Sequence, residues 1–129
     1  MSAKNSDLKR VRELLGVIRE TQDRVAYSGL SREAFLSSAS LESRILADSL
    51  LMCVFRATEE ASSMSEETRS AHPEIAWRGI KSMRNILAND YGQVDREMVW
   101  DSIEHDFPVL ERFCRDYLEE NGVPPDDEG

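Results

Sequence analysis

The stretch RNILANDYG, Arg84 to Gly92, sets a cation, two amides, an acid and a phenol among aliphatic side chains. The Arg84 guanidinium offers a planar fork of donors that matches phosphate oxygens. The amides of Asn85 and Asn89 donate and accept hydrogen bonds, but neither titrates in a useful range. Asn89 therefore stands where general acid–base chemistry would best use a histidine. On a helix turning about 100° per residue, Arg84 and Tyr91 share one face and Asn85 and Asn89 share another. Arg84 and Asn89 point well apart, so a site using both needs distortion near Gly92 or two copies of the helix across a two-fold axis. Read one residue at a time, the stretch is bland: a solvated arginine, a half-buried aromatic with a wet hydroxyl, and ordinary helix-end residues. Chemistry alone leaves the function open.

Charge placement keeps one option alive. The net charge of −9 argues against general nucleic-acid binding. Residues 1 to 68 carry 9 basic and 11 acidic side chains, residues 69 to 96 carry 5 and 3, and residues 97 to 129 carry 2 and 11. The acidity thus lies mostly in the C-terminal third. Arg69, Arg78, Lys81, Arg84 and Arg96 make the middle segment locally basic, which suits a local phosphate site.

Other chemistry-bearing residues point nowhere specific. Cys53 and Cys114 lack a CxxC or His-rich context and read as buried thiols. His72 and His105 read as surface residues with no second ligand at metal spacing, so no metal site or cofactor is expected. Glu59, Glu60, Glu66 and Glu67 read as a solvated acidic face. The serine-rich FLSSASLES lacks a nucleophile elbow or a nearby base.

The elements that must position RNILANDYG are helical. Length suits one domain, and low Gly and Pro content favours helices. Leu8, Val11, Leu14, Ile18 and Val25 recur at helical spacing from Ser6 to about Tyr27, and Gly29 stops that helix. Ser31 caps a short helical turn. A long helix then follows through SASLESRILADSLLMCVFRATEEASSM, apolar nearly all round from Ile45 to Phe55 and hence central. SEETRSAHPE opens on Ser65 with Glu66 and Glu67 in its first turn and breaks at Pro73. The next helix runs from near Ile75 to about Asp90, with Ile80, Met83 and Leu87 inward and Trp77, Lys81, Arg84, Ala88 and Tyr91 on a neighbouring stripe. Gly92 stops it, Asp95 caps its successor, and Pro108 is expected to bend the last helix. No window is apolar enough to span a bilayer and MSAKNSDLKR lacks a signal-peptide core, so a cytoplasmic protein is expected.

HPEIAWRGIKSMRNILANDYGQVDREMVWDSIEHDFPVL, His72 to Leu110, resembles the HepT-like toxins of the HEPN superfamily, encoded beside a minimal nucleotidyltransferase called MntA. PEIAW, MRN, DYG and VDREMVWDSIEHDFPVL carry the likeness, with weaker similarity around the EEA of Glu59 to Ala61. The family signature is an arginine, four residues, a histidine, one residue and a tyrosine. Arg84 and Tyr91 match, Asn85 matches the polar residue after the arginine, and Asn89 replaces the histidine. The resemblance implies an all-α, HEPN-type antiparallel bundle of four to five main helices over residues 1–120, with a short acidic tail at 121–129 that frays. It further implies a metal-independent endoribonuclease, a homodimer with the paired motifs lining one cleft, and an MntA-type antitoxin that adenylylates Tyr91.

In that scheme Arg84 clamps phosphate, Asn85 orients the phosphate or the arginine through its amide, and Lys81 and Arg78 contact RNA phosphates. The absent histidine would move the proton, so cleavage by this chain is expected to be poor or nil. Two origins for Asn89 fit: a deliberate inactivation, favoured because the rest of the motif is intact, or a natural variant kept for binding. The competing reading is a non-catalytic helical module that binds and regulates a nucleotidyltransferase.

Overall fold

A computed structural model of the chain describes residues 3–124, in which every regular element is helical. α1 (Ala3–Ser28) packs against α3 (Leu41–Ser62) and α7 (Phe107–Glu120), and α3 also packs against α5 (Trp77–Asn89). The short helices α2 (Arg32–Ser37), α4 (Glu66–Ala71) and α6 (Arg96–Asp101) connect these four. The result is the all-α bundle expected, with four main helices. No helix among the described residues is long and apolar enough to cross a membrane.

Local signals explain most boundaries. Val11, Leu14, Leu15 and Ile18 lie on the buried stripe of α1, and burying such side chains stabilises by about 1.5–3 kcal/mol each. Gly29, at φ 66°, supplies the left-handed residue just past its end. Ser40 and Ser43 cap α3 reciprocally, Ser31 caps α2 and Ser65 caps α4. Asp95 caps α6 by accepting from the Glu97 amide at 2.9 Å. Cys53 and Cys114 are free and buried, and burial pushes the Cys114 thiol well above its ordinary range.

A buried carboxylate joins α1 to α4. Asp7, 2 % exposed, accepts the Ser65 amide at 3.0 Å and the Ser65 and Thr68 hydroxyls. These contacts hold α4 against the bundle.

Four expectations need correction. The segment Ile45 to Phe55 is not apolar all round: Ala47, Leu50, Leu51, Cys53 and Val54 are buried, but Ile45 and Met52 are open to solvent along with Asp48. Helix α5 ends at Asn89, because Asp90 adopts φ −148° and ψ 50°, so Tyr91 begins a 3₁₀ turn, Tyr91–Gln93. The irregularity expected at Pro108 lies earlier, as a π turn over Ser102–Asp106, while Pro108 sits in the first turn of α7. The proline ring excludes the carbonyl four residues back, at Glu104, and widening the helix there relieves the clash. His72 is not a surface residue: its ring meets Phe113 edge-on at 4.9 Å and its Nδ1 lies 3.3 Å from Glu74 Oε2.

At the C-terminus, the Val123 amide donates to the Leu118 carbonyl at 2.8 Å and Gly122 takes φ 74°. This closes α7 with a left-handed cap. Of the tail expected to fray, residues 125–129 lie outside the described residues.

Candidate functional site

Arg84 is half-buried at the edge of α5 that faces α3. Its Nε donates to Glu59 Oε2 at 3.1 Å, its Nη2 lies 3.0 Å from the same oxygen, and its Nη1 donates to Asn85 Oδ1 at 3.2 Å. All three guanidinium nitrogens are therefore oriented before any ligand arrives, which lowers the conformational cost of gripping an anion. Asn85 orients the arginine directly, through its own side-chain oxygen.

Tyr91 is anchored elsewhere on α3. Its hydroxyl donates to Asp48 Oδ1 at 3.3 Å, and Arg96 Nη2 lies 3.9 Å from that oxygen. Arg96 is itself fixed by the Phe35 carbonyl at 3.2 Å and the Ser38 hydroxyl at 2.6 Å. Burial, then the charge and hydrogen bond of Asp48, raise the Tyr91 phenol above its ordinary range, partly opposed by Arg96. At neutral pH the phenol holds its proton and points it at a carboxylate.

Asp48 and Glu59 are eleven residues apart, so they lie on one face of α3 about 16 Å apart along its axis. Arg84 and Tyr91 thus dock on one stripe of α3, three helical turns apart at their anchors. The helical projection that put both on one face of α5 does not hold, because Tyr91 has left the helix. Asn85 and Asn89 remain one turn apart and exposed, and Asn89 makes no side-chain hydrogen bond among the described residues. Arg78 and Lys81 are exposed near the start of α5.

Sequence reasoning missed Glu59 and Asp48. Glu59 was assigned to a solvated acidic face, yet it is the partner of Arg84. The one signal that could have found it was the EEA likeness at Glu59. Asp48 had none, since a single carboxylate on a mixed helix is ordinary. The structure also gathers Asp101, Glu104 and His105 within 4.8 Å of one another, although spacing flagged no second ligand for His105. All three are exposed, and exposed acidic groups of this kind are common without an ion.

Comparison with known proteins gives this geometry a context. The model of the family described as Ribonuclease HepT-like matches residues 7–117, nearly the whole bundle and all of the Arg84 to Tyr91 stretch. The chain belongs to this family. Among curated relatives, it is 28% identical over 61 residues to "Putative RNase TTE0752" of Caldanaerobacter subterraneus subsp. tengcongensis, covering 47% of this chain and 54% of the relative. It is 33% identical over 52 residues to "Probable ribonuclease HepT" of Thermococcus cleftensis, covering 40% of this chain and 47% of the relative. The matched stretches thus span about half the length of these relatives. No solved structure matches.

Proposed function

We propose that this chain is the RNA-acting toxin of a HepT/MntA-type toxin–antitoxin pair, in a form that keeps the phosphate clamp and lacks the proton-transfer group. The observation that carries the reading is Arg84, held ready by Glu59 and Asn85 while position 89 presents a non-titrating amide. In metal-independent cleavage the ribose 2'-oxygen attacks the adjacent phosphorus and the bond to the 5'-oxygen breaks. The 2'-hydroxyl gives up a proton and the leaving oxygen gains one. Arg84 offsets the charge that gathers on the phosphorane oxygens, and Asn85 keeps its fork aimed. Asn89 can neither accept nor supply the proton, a loss of about 10² to 10⁴ in rate.

The chain acts in this scheme as a homodimer. Leu41, Ile45 and Met52, at 65, 60 and 53% exposure, line the face of α3 that also carries Asp48 and Glu59. Burying this stripe against a second copy in an isologous interface supplies apolar area and brings two Arg84 motifs to one cleft.

Tyr91 is the control point. With its hydroxyl proton directed at Asp48, the phenol oxygen attacks the α-phosphorus of ATP in the antitoxin's active site, pyrophosphate leaves, and the proton passes to the carboxylate. The attached AMP phosphodiester then opposes RNA phosphate by charge and bulk.

Asn89→His tests the reading. The substituted protein should cleave single-stranded RNA, and adding Arg84→Ala should abolish cleavage. If Asn89→His is folded and inert towards RNA, the second reading stands: a non-catalytic helical module that regulates a nucleotidyltransferase, favoured by the exposed, unbonded amide at position 89. Mass spectrometry after co-expression with an MntA-type enzyme tests the modification. An unchanged Tyr91 peptide removes the adenylylation step.

A further inference from the structure

A groove of about 440 Å³ lies where α4 meets the start of α5. Arg69, Arg78 and Lys81 line it together with Trp77, Ser70 and Glu66. In a chain of net charge −9, Arg10, Arg24, Arg32, Arg84, Arg96 and Arg115 each meet a carboxylate. Arg69, Arg78 and Lys81 form no ion pair among the described residues, and the Arg69 side chain donates from Nε to the Met64 carbonyl. Three uncompensated cations against the single carboxylate of Glu66 leave the groove positive.

The placement of these charges runs against local helix preference. The first turn of a helix favours acidic side chains, yet α5 has none there, has no side-chain cap, and carries Arg78 and then Lys81 instead. A local rule broken without a structural partner is expected where a site is built. Trp77 adds an aromatic platform. Its Nε1 donates to the His72 carbonyl at 2.9 Å and its ring stands edge-on to Phe113 at 5.6 Å, so the indole is fixed in place while half-exposed.

The groove and the arginine clamp share one edge of α5. Trp77, Lys81 and Arg84 follow one edge of α5, with Lys81 and Arg84 about 4.5 Å apart along the axis and Trp77 about 10 Å from Arg84.

We propose that this groove is a second RNA subsite: the nucleotide beside the clamped phosphate lays its backbone across Arg69, Arg78 and Lys81 and stacks its base on Trp77. The inference rests on the RNA-acting reading and adds a binding direction to it, from Arg84 towards α4. Cations beside a fixed aromatic face are the arrangement that holds single-stranded nucleic acid without reading its sequence.

The test uses the full chain, in which Asn89 leaves RNA uncut, and an oligouridylate of about ten nucleotides, with an abasic strand of the same length for comparison. Binding should quench Trp77 fluorescence, with buried Trp100 as a constant background. The abasic strand should bind roughly tenfold more weakly with little quenching. The double substitution Arg78→Gln and Lys81→Gln changes two exposed side chains that have no partners among the described residues, so folding is preserved. It should weaken binding and lower the slope of log K against log salt by about 1.4, roughly 0.7 for each of the two cations removed. Trp77→Phe should keep the edge-on contact with Phe113 and lose the quench.

If Arg84→Ala weakens binding while the double substitution and the abasic strand change nothing, the groove is overturned and the RNA-acting reading stands. If the double substitution weakens binding and Arg84→Ala does not, the RNA-acting reading fails and the path from clamp to groove with it. Absence of binding by the unsubstituted chain overturns both.

Discussion

Glu59→Gln separates two roles for the residue that grips Arg84. In the resting protein both Nε and Nη2 of Arg84 reach Glu59 Oε2, so an incoming phosphate must share the guanidinium with a carboxylate of its own sign. The two side chains are 35% and 38% exposed, which places the pair among surface ion pairs contributing less than about 1 kcal/mol to folding. Glutamine keeps an oxygen to accept from Arg84 and removes the charge. A phosphate in the arginine fork would lie about 5 Å from the Glu59 carboxylate, and at a water-like dielectric that repulsion is about 0.8 kcal/mol. Its removal should tighten RNA binding roughly fourfold. Binding isotherms with single-stranded RNA at low salt measure the gain, and it should shrink as added salt shortens the screening length to about 8 Å near physiological ionic strength. Weaker or unchanged binding at equal thermal stability would refute the competition, and would mean that Arg84 needs the charge of Glu59 to stay in place.

Two further predictions concern the frame that carries the site. Asp7→Ala leaves three donors from Ser65 and Thr68 without their buried acceptor, at a cost of about 3 kcal/mol. For 129 residues that lowers the melting temperature by about 10 °C in a thermal scan; a shift under about 3 °C would sink the argument. Glu111 bridges α1 and α7: burial alone would raise its carboxyl, but hydrogen bonds from Gln22 and Arg115 outweigh this and hold it below the ordinary 4.5. Its contribution is therefore fully present above pH 4.5 and lost as pH falls through the depressed value. Urea midpoints across that acid range should fall less steeply in Glu111→Gln, and parallel curves would remove the assignment.

The sequence alone determined the helices and the composition of the motif. Apolar spacing, serine caps and Gly29 act within a few residues, so α1, α3 and the start of α6 were legible from local chemistry. Arg84, Asn85, Asn89 and Tyr91 were identifiable as a set because they lie within eight consecutive positions, and the family match spans the stretch that contains them. Their partners were not legible. Glu59 is 25 residues from Arg84 and Asp48 is 43 from Tyr91, and which carboxylate meets which cation depends on how α3 and α5 pack and in what register. Periodicity describes one helix at a time, so it could neither expose Ile45 and Met52 nor see that Asp90 turns the chain out of α5 before Tyr91. The same limit hid the groove at α4, because Arg69 meets Arg78 and Lys81 only after Asp7 has drawn α4 onto the bundle. Local chemistry set the polar side chains of the stretch, and the packing of α3 against α5 decided what Arg84 and Tyr91 face.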